Sequence, residues 1–131
     1  MRALVIAAVV VFAQAKTTQD GVYTAAQAKR GDTIYGASCS SCHAADLAGS
    51  GQASPLTGKE FNAAWNGVPL SDLFDRIRAT MPADAPGTLT PAEVADAIAF
   101  ILSKADLPAG QTELATDPAN LKAITFIAQK P

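Results

Sequence analysis

Two cysteines and the histidine that follows them form a motif with a specific chemistry. The run Cys39, Ser40, Ser41, Cys42, His43 is the C-x-x-C-H pattern, which attaches haem covalently and supplies an imidazole to the iron. Two thiols three residues apart can add to the two vinyl groups on one edge of a porphyrin. The next side chain on that turn then points an imidazole at the iron. The sequence therefore predicts one covalently attached haem c, bound by Cys39, Cys42 and His43.

Other uses of a cysteine pair fit less well. A thioredoxin-like redox dithiol lies beside a strand of a βαβ unit, and no segment before Cys39 has the pattern of a buried strand. A structural zinc site takes about four Cys and His ligands, whereas the chain has 2 cysteines and 1 histidine. In an exported chain two cysteines would ordinarily form a disulfide, but the histidine directly after the second cysteine favours haem.

The sixth ligand of the iron is predicted by elimination. Haem iron in electron carriers takes a second strong ligand, commonly Met or His, and the chain has no second histidine. Met1 belongs to a segment that we expect to be removed, which leaves Met81. Met81 precedes a loop that Pro82 and Pro86 stiffen. The alternative is a methionine that fills a gap in the core.

Ligation by His43 and Met81 leaves no open position on the iron, so the metal can change its charge without binding a substrate. This chemistry predicts a mono-haem electron carrier rather than an enzyme. One alternative is a haem enzyme or gas sensor with a displaceable sixth ligand. Another is a haem subunit permanently docked to a dehydrogenase or oxidase.

An apolar segment opens the chain. Met1 and Arg2 are followed by an apolar run over residues 3–12 and by small residues at Ala13 and Ala15, an order typical of a secretory signal peptide. The run is shorter than the roughly 20 apolar residues of a membrane anchor. We predict a cleaved signal peptide over residues 1–15. The mature chain, residues 16–131, is then periplasmic and has no membrane span.

Size and charge restrict the partners. With 131 residues, the chain fits one compact domain. Its 12 acidic and 10 basic side chains include no run of Lys or Arg, so it lacks the basic surface that nucleic-acid binding needs. We expect no nucleic-acid partner.

The region of residues 25–108 resembles the class I c-type cytochromes, in particular the small mono-haem bacterial cytochromes of the periplasm. Besides the haem motif, the matching residues keep the family's order along the chain: Gly31, Tyr35, Pro55, Leu56, Thr57, Gly58, Thr80, Met81, Pro82, Ala99 and Phe100. The resemblance implies the class I cytochrome c fold and electron transfer in a respiratory or other redox chain. It also implies redox partner proteins, with a dehydrogenase as donor and an oxidase or another cytochrome as acceptor.

The resemblance assigns further residues to the cofactor. In the family a backbone carbonyl accepts the Nδ1 proton of the haem-ligating histidine and fixes its tautomer. The family often has proline two positions before Leu56, where this chain has Ser54 followed by Pro55. The accepting carbonyl is therefore that of Ser54 or that of Pro55. A tryptophan N–H reaches a haem propionate in relatives, which makes Trp65 a candidate for that contact or an ordinary core residue.

Helical periodicity predicts an all-α fold, with short helices packed around the haem in a core over about 25–104. A helix from 25 to about 38 has Gly31 on its apolar face, where another helix can approach closely. We expect the last core helix to be that partner. It begins with a capping box from Thr90 to Glu93 and ends near Ser103.

Two more helices are predicted outside this pair. Ser71 is expected to cap a helix that turns Leu73, Phe74 and Ile77 inward. Residues 105–131 form a C-terminal extension that we expect to wrap around the core. Within it, Asp117 is placed to cap a short helix with Pro118 at its first position.

Overall fold

The computed structural model describes residues 7–10 and 13–128. Residues 1–6 and 11–12 of the predicted signal peptide and residues 129–131 of the extension lie outside the described residues. The elements follow in the order β1 (Lys16–Thr17), a 3-10 helix (Thr18–Asp20), α1 (Ala25–Ser38), α2 (Ser40–His43), α3 (Gly58–Trp65), α4 (Leu70–Thr80), α5 (Pro91–Lys104), α6 (Pro118–Lys122) and β2 (Ile124–Thr125). The predicted all-α class is confirmed, with one small two-stranded sheet added.

Helices α1 and α5 form the central packing contact of the fold. A Cβ placed on Gly31 would lie 1.8 Å from the carbonyl oxygen of Asp96 and 2.8 Å from Cβ of Phe100. Only a glycine permits this approach of the two backbones. One turn further along α1, the ring of Tyr35 packs against that of Phe100 with a centroid distance of 5.1 Å. The predicted close contact at Gly31 is confirmed, and α5 is the partner helix.

The start of α5 is the predicted capping box. Thr90 Oγ1 accepts a hydrogen bond from the Glu93 N–H at 3.2 Å, and Glu93 Oε2 accepts one from the Thr90 N–H at 2.8 Å. Pro91 occupies the first helical position, where its missing N–H costs nothing. The helix is buried along most of its length, which makes it the centre of the core.

Helices α3 and α4 differ from the predictions. The expectation that Ser71 caps α4 is wrong, because the helix already begins at Leu70, with Pro69 in extended conformation as its N-cap. Leu70 is fully buried, and this burial fixes the start of the helix ahead of the serine. Leu73 and Phe74 are buried as predicted. Helix α3 was not predicted at all.

The C-terminal extension packs on the core. Its apolar side chains at Leu107, Leu114, Leu121 and Phe126 are buried. Asp117 caps α6, with its carboxylate accepting from the Asn120 N–H at 3.1 Å. Beyond α6, β2 pairs in parallel with β1, so that Lys16 lies opposite Ile124. This pairing joins residues 16–17 to residues 124–125 of the extension.

Within residues 7–10 and 13–128, the helices are too short or too polar to cross a bilayer.

Candidate functional site

One turn of backbone brings the motif residues together. Cys39 is the residue at which α1 ends and α2 begins, and its carbonyl accepts hydrogen bonds from the N–H groups of Cys42 at 3.2 Å and His43 at 3.0 Å. Cys39 is half-buried and packs against the core, while Cys42 is exposed. Neither thiol is in a disulfide. Burial raises the pKa of the Cys39 thiol.

The imidazole of His43 is held by one backbone group. Its Nδ1 lies 2.8 Å from the carbonyl oxygen of Ser54. Because a carbonyl oxygen can only accept, Nδ1 carries a hydrogen and donates the hydrogen bond. Of the two carbonyls that the sequence left open, the structure brings that of Ser54, not that of Pro55, to the ring. In the neutral imidazole this leaves Nε2 as the nitrogen able to bind a metal.

A loop over residues 44–54 holds Ser54 in this position. Three successive backbone carbonyls each accept a hydrogen bond. The Cys42 carbonyl accepts from Ser50 Oγ at 2.7 Å, and the His43 carbonyl accepts from the Gly49 N–H at 2.9 Å. The Ala44 carbonyl accepts from the Tyr35 hydroxyl at 2.6 Å. These contacts fold the loop back over α2. The His43 carbonyl and the His43 ring are thus both bound by the same loop.

Gly49 allows the loop to close. Its φ of 80° is in the left-handed region, and a Cβ there would lie 2.7 Å from both the Ala53 carbonyl oxygen and the Pro55 nitrogen. Leu47 is almost fully buried with a φ of 63°, so its packing offsets the cost of that conformation. The sequence reasoning missed Tyr35, Leu47 and Gly49 as residues that position His43.

Met81 stands at the end of α4. Its N–H donates to the Ile77 carbonyl at 2.9 Å, which makes Met81 the C-cap residue of the helix. Its side chain is half-buried, as is that of Ile77 one turn earlier. The loop after it is closed by a hydrogen bond from the Ala85 N–H to the Pro82 carbonyl at 2.9 Å.

Trp65 stands at the end of α3. Its ring is half-buried and lies 6.2 Å from that of Phe61, centroid to centroid. One turn before it, Oδ1 of Asn62 is buried without a hydrogen-bond partner in the described part of the chain. A buried acceptor is normally satisfied by a ligand or a water molecule. Helix α3 therefore carries one buried hydrogen-bond acceptor, Oδ1 of Asn62, without a partner among the described residues.

The donor set of these residues fits a haem. The chain offers two unpaired thiols on one turn, and a histidine whose Nε2 is left for a metal by the hydrogen bond at Nδ1. Several apolar side chains pack against the core but keep part of their surface uncovered: Leu56, Trp65, Ile77 and Leu89. A large flat apolar cofactor needs such surface.

A comparison with protein families agrees with this fit. The family model described as cytochrome C oxidase, cbb3-type, subunit III matches residues 26–101, which is more than half of the chain and spans α1 to α5. No curated protein and no solved structure matches the chain. A cytochrome c domain of this kind carries covalently bound haem c with its iron and transfers electrons through it. The chain belongs to this family and is a c-type cytochrome.

Proposed function

We propose that the protein is a mono-haem electron carrier of a periplasmic redox or respiratory chain. Cys39 and Cys42 attach the haem through thioether bonds, and His43 and Met81 are the two axial ligands. The observation that carries this proposal is the 2.8 Å hydrogen bond between His43 Nδ1 and the Ser54 carbonyl. It commits one ring nitrogen to the protein and leaves the other for the iron.

The hydrogen bond also adjusts the histidine as a ligand. An Nδ1–H that donates to a carbonyl makes the imidazole a stronger electron donor through Nε2 and fixes the plane of the ring. The loop over residues 44–54 holds the Ser54 carbonyl by its own hydrogen bonds. His43 can therefore keep one orientation in both oxidation states, which favours fast electron transfer.

On the other side, the place of Met81 in the fold supports its role as the second ligand. It is the only methionine besides Met1. It directly follows α4 as its C-cap residue, and its N–H donates to the carbonyl of Ile77 one turn earlier. Trp65 is proposed to donate its indole N–H to a haem propionate from the end of α3.

Two protein ligands leave the iron no position for a substrate, so the bound haem supplies reversible one-electron chemistry and nothing further. A thioether ligand in an apolar pocket favours the ferrous state and raises the reduction potential relative to two imidazoles. The protein's part is to hold both ligands in place while the charge changes.

Few charges lie in the segment that contains His43 and in the loop that begins at Met81, and this suggests how a redox partner docks. Across residues 38–54 the only charged side chain is Asp46, and across residues 81–87 it is Asp84. Both are exposed. We propose that a partner contacts this small-residue surface mainly through apolar groups, without a ring of lysines.

Export is proposed from the signal peptide over residues 1–15. The strand β1 begins at Lys16, the first residue after the proposed cleavage site. The preceding residues 13–15 are exposed and outside helices and strands. Removal of the segment therefore takes nothing from the described core.

A second candidate function is suggested by the name of the matching family, which is that of an oxidase subunit. In that case the same haem chemistry operates in a subunit permanently bound to a larger oxidase or dehydrogenase. Purification from the native membrane and periplasm distinguishes the two, because a free carrier elutes alone and a subunit co-elutes with its complex.

Intact-mass spectrometry of the exported protein tests the assignment of the anchors. We expect the mass of residues 16–131 plus one haem. A Cys39→Ser, Cys42→Ser double variant, exported from the same vector, should carry no covalent haem. A wild-type mass without haem, or a haem that survives in the double variant, would overturn the proposal.

A further inference from the structure

We infer that the end of the C-terminal extension, residues 124–128, positions Met81 by fixing the loop from which α4 starts. This loop, residues 66–69, joins α3 to α4. The inference rests on the proposed ligation of the iron by Met81. It gives the extension a role in keeping the sulfur at the metal.

Backbone hydrogen bonds tie the two segments together. Phe126 N–H donates to the Val68 carbonyl at 2.9 Å, and Gly67 N–H donates to the Phe126 carbonyl at 2.8 Å. Ala128 N–H donates to Oδ1 of Asn66 at 3.0 Å. The extension thus pairs with this loop as a neighbouring strand would, and the loop cannot shift while the pairing lasts.

Side chains add to the contact. Phe126 is 1% exposed, and its ring meets that of Phe61 on α3 edge to face with a centroid distance of 5.7 Å. Helix α6 packs against α4, and its Leu121 is buried. The extension therefore contacts both helices that flank the loop.

The extension is itself anchored to the start of the mature chain. Thr18 is fully buried, and its hydroxyl both donates to the Ile127 carbonyl and accepts from the Ile127 N–H, each at 2.9 Å. Lys16 N–H donates to the Ala123 carbonyl at 2.9 Å. Earlier in the extension, the buried side chain of Gln27 on α1 bonds to both the N–H and the carbonyl of Leu114.

Helix α4 can carry the effect to Met81. No side chain caps its first turn, so the start of the helix depends on the packing around the loop. From Leu70 to Thr80 it forms one unbroken helix, about 16 Å long at roughly 1.5 Å per residue. A shift or tilt at its first residue is therefore passed to Met81 at its last turn.

The histidine side of the iron has a separate support. The loop that holds His43 closes on itself through Ser50 and Gly49 and is bonded to α1 through Tyr35. The hydrogen bonds that hold it involve no residue of 124–128. Weakening the extension should loosen the sulfur ligand and leave the histidine ligand unchanged.

The test uses the exported, haem-loaded full chain with Thr18→Val, which keeps the shape of the side chain and removes both hydrogen bonds between Thr18 and Ile127. The bond from Gln19 Nε2 to the Ile127 carbonyl, at 3.0 Å, is left in place. Tyr23→Phe is the matched control. It also removes one hydroxyl that bonds to the extension, but at Leu107, far along the chain from residues 124–128. Phe126→Leu is a second variant that keeps the backbone pairing and loses the edge-to-face contact.

Cyanide affinity of the oxidised protein is the readout, because cyanide can bind only when Met81 is off the iron and its apparent affinity follows that fraction. We expect a rise of about fivefold in Thr18→Val, equivalent to the loss of about 1 kcal/mol. Phe126→Leu should show a rise as well, and Tyr23→Phe should stay near the wild type. On warming, the sulfur-to-iron charge-transfer band should weaken at a lower temperature in Thr18→Val and Phe126→Leu than in the wild type.

Two failures are distinguishable. If the wild type has no sulfur-to-iron band, the proposed ligation by Met81 is wrong. If the wild type has the band but cyanide affinity in Thr18→Val and Phe126→Leu equals that in Tyr23→Phe, the ligation stands and the positioning role of the extension is overturned.

Discussion

The hydroxyl of Tyr35 donates a 2.6 Å hydrogen bond to the carbonyl oxygen of Ala44, the residue directly after His43. The ring of Tyr35 lies in the contact between α1 and α5 and is 2% exposed. One side chain therefore joins the central helix pair to the loop that holds the histidine. Ala44 has a φ of 68°, an unfavourable value for alanine that this bond helps to maintain.

Tyr35→Phe removes this bond and keeps the ring, so we expect a loss of about 1 kcal/mol in the free energy of unfolding at neutral pH. Burial, then the charges of Cys39 and Asp46, raises the pKa of Tyr35 from 10.0 to about 12. Between these two pKa values the tyrosine has lost its proton in the unfolded chain and keeps it in the folded chain. The free energy of unfolding of the wild type therefore falls as pH rises through this range.

The advantage of the wild type over Tyr35→Phe should therefore narrow above pH 10, as measured by denaturant unfolding at several pH values. When haem is attached, Cys39 is an uncharged thioether, and burial remains the main cause of the raised pKa of Tyr35. An advantage that stays constant up to pH 12 would show that the hydroxyl is not buried in the folded protein.

Helix α1 has one glycine inside its contact with α5, Gly31, and one outside it, Gly36. Gly31→Ala places a Cβ 1.8 Å from the Asp96 carbonyl oxygen, whereas a Cβ on Gly36 of the same helix has no neighbour within 4 Å. We expect Gly31→Ala to cost about 3 kcal/mol or more and Gly36→Ala to add about 0.5–1 kcal/mol of stability. Thermal unfolding of both haem-loaded variants measures this, and equal melting temperatures would refute the close packing.

Much of the fold is predictable because local patterns determine it. The capping box at Thr90 and Glu93, the face of α1 that includes Gly31 and the cap at Asp117 each involve residues three or four positions apart. The small sheet is different, since β1 and β2 have two residues each and pair residues 16–17 with residues 124–125, far apart in sequence. A strand of two residues is too short to show the alternating pattern of a β-strand. Helix α4 begins at Leu70 because a buried side chain outweighed the capping preference of Ser71.

The candidate site divides in the same way. The C-x-x-C-H spacing of Cys39, Cys42 and His43 is typical of haem attachment and can be read from the sequence. The contacts that hold His43 cannot be predicted from the sequence, because they depend on the path of the loop. This loop includes Leu47 in a left-handed conformation, and leucine gives no sequence signal for that conformation. Ser54 and Pro55 were equal candidates until the path of the loop brought one carbonyl to the ring.

Gly49→Ala should disturb the histidine hydrogen bond, and Gly51→Ala is its control. A side chain at Gly49 meets the backbone at 2.7 Å and strains a φ of 80°, while a Cβ on Gly51 has open space around it. With the Ser54 carbonyl displaced, His43 as the proposed ligand would donate less electron density to the iron, which disfavours the ferric state. We expect a higher reduction potential in Gly49→Ala and an unchanged one in Gly51→Ala. Equal potentials in voltammetry would contradict the role of this loop.

Electron transfer to a partner should depend little on salt. Residues 38–54 and 81–87 carry only Asp46 and Asp84 as charges, so screening by added salt has little to act on there. Stopped-flow rates with a purified partner should change by no more than about twofold between roughly 0.01 and 0.5 M ionic strength. A steep decline with salt would mean that charged groups guide docking.

The optical spectrum of the oxidised protein, recorded for the wild type and for Met81→Leu, tests the two-ligand haem centre most directly. We predict a low-spin wild type with a sulfur-to-iron charge-transfer band, and a variant that loses the band and binds cyanide readily. A high-spin wild type that takes up cyanide or carbon monoxide without delay, or a band that survives in Met81→Leu, would contradict an electron carrier with Met81 on its iron.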